Sequence, residues 1–420
     1  MKYFLTLILL SFMSTMAVAQ KVCKIEGQII NRPKDKILLL APKGTDYRVS
    51  KPIEIKINND GTFSYSLNFE YPELYTLVFK SEYDNSAWYT YQFMLEEPVV
   101  KLEIYPHDRY ADRKIVGGEL NKHFQSIDIE LANKYNEKLE PLSNKLYYEL
   151  GEDAYSEEYK GFIRGIRQNK LTPIERDSLY RLQKYLVQNN MQFNEEGKVI
   201  EHKITEIRDN LHNEILNLVL SNNNEASLAM LGILVDRNNS TVNPTLNSKY
   251  KDVLYKHFTK DYADNPMYKR IELKILGGEL KNGSDFIDFE APDLDGNTHK
   301  LSGLIKNKVV VLDLWASWCG PCMHTTKSFI DVWEKYKDLG FDIIGVAREK
   351  DNTKAMEAAM KRIGMKWLNL VDINDKSEIW YKYGIGNAGG GVFLIDKHGK
   401  IVDIGFNAAQ LDTLLEGLLK

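Results

Sequence analysis

One stretch of the sequence, residues 309–322, constrains the fold more than any other. It reads VVVLDLWASWCGPC, and its first seven residues are apolar except for Asp313. An apolar run of this length with three consecutive valines is typical of a strand buried on both faces. The residues from Met323 to Leu339 have helical spacing. The pair Cys319 and Cys322 is therefore predicted to lie where a buried strand turns into a helix.

This position favours thiol chemistry. The first residues of a helix carry unpaired N–H groups and the positive end of the helix dipole, which lowers the pKa of a thiol placed there. We therefore expect Cys319 to be the attacking and more exposed thiol. Cys322, one helical turn further on, is expected to be the resolving thiol that closes a disulfide with it. Pro321 is tolerated because the first turn has no intrahelical hydrogen bond to lose.

Two other roles of such a cysteine pair are a half zinc site and a structural disulfide. A zinc site of four ligands needs two more donors, and the sequence has no second pair of cysteines. His299, His324 and His398 show no ligand spacing, so no metal site is predicted. A disulfide that closes a very short loop constrains little of the unfolded chain. The pair therefore favours redox chemistry that needs no cofactor beyond its own disulfide.

The segment from Asp313 to Cys322, DLWASWCGPC, resembles the active-site strand and turn of thioredoxin. The resemblance implies that Asp313 is a buried carboxylate that handles protons for the second cysteine. The apolar neighbours of Asp313 agree with burial, whereas an acid at a strand edge would face water. We assign substrate contacts to Trp318, Gly320 and Pro321 of the same segment.

The last part of the chain, residues 283–420, is predicted to be an α/β domain. Strand and helix signals alternate and end in an antiparallel pair of strands, which fits a thioredoxin fold. The segments FEAPDLDGN (289–297) and LSGL (301–304) resemble the entry hairpin of TlpA-type periplasmic disulfide reductases and of peroxiredoxins. Thr325 and Lys327 stand where the TlpA pattern has Glu and Pro. We therefore expect an active-site helix without a kink.

Three consecutive glycines, Gly389, Gly390 and Gly391, precede a predicted strand. Gly390 stands where the TlpA pattern has a cis-proline, and the resemblance implies that this loop binds an extended client by strand addition. We therefore assign the three glycines to substrate binding. A cis bond before a residue other than proline costs about 2.5–4 kcal/mol, so a trans bond is expected before Gly390. Replacement of Gly390 by proline is expected to raise activity on protein disulfides.

The remainder of the chain is predicted to form two further regions of a multidomain protein. Residues 20–117 have strand signals at regular spacing, with a strong hairpin turn at Asn58–Gly61, which predicts an all-β sandwich. With its segments GQI (27–29), DGTF (60–63) and YPELY (71–75), this region resembles an N-terminal sandwich domain that often precedes thioredoxin-like domains in exported proteins of Bacteroidetes-type bacteria. Residues 118–282 have helical periodicity with interleaved charges, which predicts a helical region and linker. Neither region shows a catalytic constellation, so both are expected to be dispensable for the reduction of a small disulfide.

The N-terminus predicts export. In residues 1–19, Lys2 precedes an apolar core too short to span a bilayer, and Ala17–Ala19 forms a cleavage site for a secretory signal peptide. The mature chain would begin at Gln20 in the periplasm. Cys23 lies in a poor context for lipoprotein processing, so it is expected to be a small buried hydrophobe and not a lipid anchor.

Together these features predict an exported thiol–disulfide oxidoreductase that reduces disulfides in periplasmic client proteins. A mixed disulfide on Cys319 would be resolved by Cys322, and a membrane electron donor would reduce the pair again. The net charge of −4 gives no reason to expect nucleic-acid binding. One alternative is a peroxiredoxin-like peroxidase, although Trp315–Cys319 lacks the Pro-x-x-x-Thr-x-x-Cys pattern. Another is a surface-binding or scaffold protein with a degenerate thioredoxin-like domain, which the glycine-rich loop favours.

Overall fold

The computed structural model describes residues 21–419 except 33, 87, 169, 239–243, 259–261 and 388. The predicted signal peptide, residues 1–19, lies outside the described residues. Along the described chain, two packed sheets are followed by a region of helices and then by an α/β sheet. The predicted multidomain fold class is confirmed.

The N-terminal part is a sandwich of two sheets. Its elements are β1 (Lys21–Ile29), β2 (Ile37–Pro42), β3 (Ile53–Lys56), β4 (Thr62–Phe69), β5 (Leu74–Phe79), α1 (Lys80–Asp84), β6 (Tyr91–Met94), β7 (Val99–Ile104) and β8 (Lys114–Val116). One sheet has the strand order β4-β1-β7-β8 and the other β3-β2-β5-β6. Ile25 and Leu102 of the first sheet pack with Leu38 and Leu77 of the second in one core. Cys23 is fully buried in this core, as predicted.

The pairing of the sandwich strands differs from the prediction at one turn. Asn58 and Gly61 form a tight turn, closed by a hydrogen bond from the Gly61 N–H to the Asn58 carbonyl oxygen. The turn joins β3 to β4, however, and these strands belong to different sheets. The predicted β-hairpin is therefore wrong: β4 pairs with β1 along the whole of β4, and β3 pairs with β2.

The central part is helical, as predicted. Its helices are α2 (Glu119–Gln125), α3 (Ala132–Asn144), α4 (Glu157–Ile166), α5 (Pro173–Gln188), α6 (Glu195–Ser221), α7 (Glu225–Arg237), α8 (Pro244–His257) and α9 (Pro266–Gly277). Helix α5 begins at a capping box in which Thr172 and Glu175 bond each other's backbone N–H groups. Leu74 and Met94 of the sandwich pack into the helical core. Nowhere in the described chain does a helix combine the length and apolar character needed to cross a membrane.

The C-terminal part has a thioredoxin-like fold. Its elements are β9 (Glu290–Pro292), β10 (Thr298–Lys300), α10 (Leu301–Leu304), β11 (Val309–Trp315), α11 (Gly320–Ser328), α12 (Ile330–Tyr336), β12 (Phe341–Glu349), α13 (Lys354–Ile363), β13 (Asn369–Ile373), α14 (Ile379–Lys382), β14 (Gly391–Ile395), β15 (Ile401–Ile404) and α15 (Ala408–Leu418). The sheet order is β13-β12-β11-β14-β15. Strand β11 is central and buried along its whole length, as its apolar sequence predicts.

The active-site helix is broken, contrary to the expectation from Lys327. It ends at Ser328, and α12 begins at Ile330 after Phe329. One hydroxyl near the break bonds the preceding turn: Ser328 Oγ donates to the carbonyl oxygen of Thr325 at 2.6 Å. A side-chain bond to the backbone of this kind bends helices, so a proline is not required here.

Candidate active site

The two cysteines lie at the predicted junction between β11 and α11. Cys319 is the N-cap of α11, and its Sγ accepts a hydrogen bond of 3.3 Å from the backbone N–H of Cys322. The two residues are joined by a disulfide, with their Cα atoms 5.3 Å apart. Because an N–H group of the first helical turn points at the Cys319 sulfur, a thiolate is favoured at this residue after reduction.

The exposure of the cysteines differs from the prediction. Cys319 is only 6% exposed, whereas Cys322 is half-buried. The expectation that Cys319 is the more exposed residue is therefore wrong for this oxidised state. One reason is that Gly389 lies against Cys319, so that a Cβ at Gly389 would be 3.6 Å from the Cys319 sulfur. The hydrogen bond at the helix start, not exposure, distinguishes the two sulfurs.

Asp313 of β11 is 2% exposed, as the sequence predicts. Burial raises the pKa of its carboxyl to about 7, although a hydrogen bond of 2.7 Å from the Thr326 hydroxyl acts in the opposite direction. A group with a pKa near neutral can accept and return a proton under physiological conditions. Asp313 and Cys322 line the same cavity, whose volume is about 230 Å³. The carboxyl and the second cysteine therefore border one cavity.

A second buried carboxyl, Glu349, was not identified from the sequence. It lies at the end of β12 and is 3% exposed. The backbone N–H and the hydroxyl of Ser317 both donate to it, at 2.6 and 2.7 Å. Burial raises the pKa of Glu349, and the two bonds from Ser317 oppose that rise. Glu349 therefore fixes the turn that leads from β11 to Cys319.

The predicted glycine site lies against the disulfide. We use the name glycine loop for Gly386, Asn387, Gly389 and Gly390, which lie between α14 and β14. The bond between Gly389 and Gly390 is trans, as expected. A Cβ at Gly390 would be 2.4 Å from the carbonyl oxygen of Leu314 and 2.6 Å from Cys322 Sγ.

This close approach leaves no room for a side chain at position 390 on this backbone. The expected effect of a proline there on activity stays a prediction. Gly391, the next residue, opens β14 and pairs with Leu314. Of the three predicted glycines, two therefore contact the cysteines and the third begins the neighbouring strand.

The other predicted substrate-binding residues have different surroundings. Gly320 and Pro321 are exposed at the start of α11, and the space beside Gly320 is open. Trp318 is half-buried, and its Nε1 donates to the carbonyl oxygen of Arg348 at 3.1 Å. The guanidinium of Arg48, from the N-terminal sandwich, lies 4.2 Å from the centre of the Trp318 ring. One face of Trp318 is thus covered by another domain.

No group of three or more His, Cys, Asp or Glu side chains is arranged to hold a metal ion in the parts of the chain described.

Residues 282–404 match the model of the AhpC/TSA family. The thiol-disulfide oxidoreductase ResA of Bacillus thuringiensis is 33% identical over 144 residues, which are 34% of this chain and 79% of the relative. The chain belongs to the ResA-type thiol-disulfide oxidoreductase family.

Another member of the ResA-type family gives a similar match. ResA of Geobacillus thermodenitrificans is 30% identical over 122 residues, covering 29% of this chain and 67% of the relative. The thioredoxin domain of a thiol-disulfide oxidoreductase from Bacteroides vulgatus is 25% identical, with a TM-score of 0.31, and covers 34% of this chain and 100% of that one. The two ResA matches show that the protein is an oxidoreductase that acts on disulfide-bearing substrates.

Proposed function

We propose that this oxidoreductase reduces disulfides of exported client proteins through Cys319 and Cys322. The observation that carries the proposal is the cysteine pair at the start of α11, with the backbone N–H of Cys322 directed at Cys319 Sγ. The buried carboxyl of Asp313 shares a cavity with Cys322 and supports the assignment of the second step.

The reaction follows from this arrangement. The Cys319 thiolate attacks one sulfur of the client disulfide, the client S–S bond breaks, and the other client sulfur leaves as a thiolate. Asp313 accepts the proton of the Cys322 thiol. The Cys322 thiolate then attacks the Cys319 sulfur, which releases the second client thiolate and forms the Cys319–Cys322 disulfide. Two electrons have passed to the client, and the enzyme is left with the Cys319–Cys322 disulfide.

The cycle needs a further partner. A dithiol donor must return two electrons to the Cys319–Cys322 disulfide before the next client binds. For an exported enzyme, we assign this role to a membrane protein. Export itself rests on the signal-peptide pattern of residues 1–19. Mass spectrometry of the protein recovered from the periplasm should show an N-terminus at Gln20, and an intact Met1 would contradict export by this route.

Reduction of hydroxyethyl disulfide and of a disulfide-bonded peptide, with dithiothreitol as the electron source, tests the proposed function. We expect catalysis above the uncatalysed rate by the wild type and none by Cys319→Ser. Consumption of hydrogen peroxide in the same assay, without reduction of either disulfide, would favour the peroxidase alternative. Inactivity towards all three substrates would favour the scaffold alternative.

A further inference from the structure

The glycine loop is hydrogen-bonded to the N-terminal sandwich. The Nδ2 of Asn387 donates to the carbonyl oxygen of Gly44 at 2.8 Å. The Nη2 of Arg48 donates to the carbonyl oxygen of Asn387, also at 2.8 Å. Gly44 and Arg48 belong to residues 43–52, which we call the β2–β3 loop. A different domain thus holds both the side chain and the backbone of one glycine-loop residue.

A buried ion cluster joins the same two loops. Arg348 is fully buried and pairs with Asp46 of the β2–β3 loop at 3.3 Å, and also with Asp375. Its Nη1 donates to the carbonyl oxygen of Gly386 at 3.1 Å. Asp46 in turn accepts a bond of 2.9 Å from Nε of Arg48. Since an unpaired buried charge is strongly unfavourable, the cluster fixes the position of the two loops relative to each other.

The glycine loop has few means of holding its own shape. Gly389 and Gly390 have no side chains to pack, and glycine loses more conformational freedom on ordering than any other residue. Both nevertheless lie against the disulfide sulfurs. A client sulfur that reaches Cys319 must pass beside them. If the loop were free, each binding event would have to order it, which would weaken affinity.

We propose that the β2–β3 loop of the sandwich is a positioning element of the active site, which holds the glycine loop in the shape that binds the client. The inference rests on the proposed disulfide reduction and names the part of the chain that orders its client site. The contacts act on a loop beside the cysteines and not on the exchanging sulfurs. They therefore affect client affinity more than the exchange steps. The N-terminal domain thus has a part in client binding, while its dispensability for the chemistry on a small disulfide stays a prediction.

Two variants of the full chain each remove hydrogen bonds between the β2–β3 loop and the glycine loop. One substitution is in the sandwich and the other is in the C-terminal domain. Arg48→Met removes the bond to Asn387 and the ion pair with Asp46 but keeps an apolar stem over the Trp318 ring. Tyr381→Phe removes a hydroxyl that lies 3.0 Å from both the carbonyl oxygen of Gly44 and the side-chain oxygen of Asn387. Arg48→Lys is the conservative variant, because a lysine at this position keeps a cationic donor.

Glu73→Gln is the matched control. Glu73 of the sandwich pairs with Arg270 of α9 at 2.7 Å, so this substitution weakens another contact between domains. In the described part of the chain, the side chains of Glu73 and Arg270 are not hydrogen-bonded to the glycine loop. Any effect of losing a domain contact in general should appear in this variant as well.

Steady-state kinetics and amide hydrogen exchange supply the readout. For Tyr381→Phe we expect KM for a disulfide-bonded peptide to rise about fivefold, the effect of one typical hydrogen bond. For Arg48→Met, which loses more than one bond, the rise in KM should be at least as large, and kcat should change little in either variant. The rate on hydroxyethyl disulfide should stay near that of the wild type. Exchange at Gly389 and Gly390 should be faster in both variants, unchanged in Glu73→Gln, and largely restored in Arg48→Lys.

An unchanged peptide KM together with unchanged exchange in both variants would overturn the inference. An equal loss of activity on the peptide and on hydroxyethyl disulfide would also overturn it, because a positioning role in client binding predicts selectivity. If the wild type reduces neither substrate, the proposed function fails. The exchange measurement then decides separately whether the β2–β3 loop orders the glycine loop.

Discussion

The hydroxyl of Thr326 donates a hydrogen bond of 2.7 Å to the carboxylate of Asp313. A hydrogen bond to the charged form of a carboxyl favours ionisation, so Thr326 limits the rise in the pKa of Asp313 that burial causes. This relationship links the active-site helix to the central strand. It also gives Thr326 a place in the proton transfer proposed for the second step.

Substitution of Thr326 by valine tests this relationship. Thr326→Val keeps the shape of the side chain and removes the hydroxyl, so the pKa of Asp313 should rise further. We expect the pH dependence of mixed-disulfide resolution to move to higher pH, measured by rapid quenching across pH 5.5 to 9. Thr325→Val is the control, because Thr325 lines the same cavity. If mixed-disulfide resolution had the same pH midpoint in Thr326→Val and in the wild type, the influence of Thr326 on the pKa of Asp313 would be contradicted.

Asp313→Asn should stabilise the oxidised protein in a pH-dependent manner. Below the ordinary pKa of 3.8 the carboxyl is protonated in both folded and unfolded chains, so it has no effect on stability. As pH rises towards about 7, the unfolded chain ionises first and the wild type loses stability. Above about pH 7, the wild type has lost on the order of 4 kcal/mol of its free energy of unfolding through this carboxyl.

Urea unfolding of the wild type and Asp313→Asn at pH 5 and pH 8 measures this difference. The advantage of the variant should be larger at pH 8. A difference in stability that does not change with pH would show that Asp313 is ionised in the folded protein at both values.

In single-turnover experiments, the same variant should slow release of the mixed disulfide more than its formation.

The two glycines beside the disulfide should tolerate alanine differently. At Gly390 a methyl group would overlap Leu314 and Cys322, so Gly390→Ala should destabilise the oxidised protein by about 1–3 kcal/mol, as other overpacked sites do. At Gly389 the nearest contact is an ordinary 3.6 Å, so Gly389→Ala should change stability by less than about 0.5 kcal/mol. Urea unfolding of both oxidised variants provides the comparison. Equal effects would show that the backbone at Gly390 has more space than this structure gives it.

Local patterns in the sequence were sufficient to predict much of this fold. The buried strand at Val309–Trp315, the helix start beside Cys319 and the capping box at Thr172 each depend on residues close together in the chain. The burial of Asp313 followed from its apolar neighbours in the same strand. Such features are set by local periodicity and capping chemistry.

Features that depend on distant residues were missed. Asp46 and Arg348 are an ion pair between residues about 300 positions apart, and nothing near either residue indicates the other. The turn at Asn58–Gly61 was recognised, but the assignment of its flanking strands to different sheets depends on their pairing with β1 and β2. The bond from Thr326 to Asp313 likewise required the packing of α11 on β11.

The central claim is that Cys319 attacks the client and Cys322 resolves the mixed disulfide. Incubation of reduced Cys322→Ser with a disulfide-bonded peptide, followed by mass spectrometry, tests it most directly. The account predicts a stable peptide adduct on Cys319, and much slower adduct formation on Cys322 in the Cys319→Ser variant. Faster adduct formation on Cys322 than on Cys319, or no adduct on either cysteine, would contradict the account.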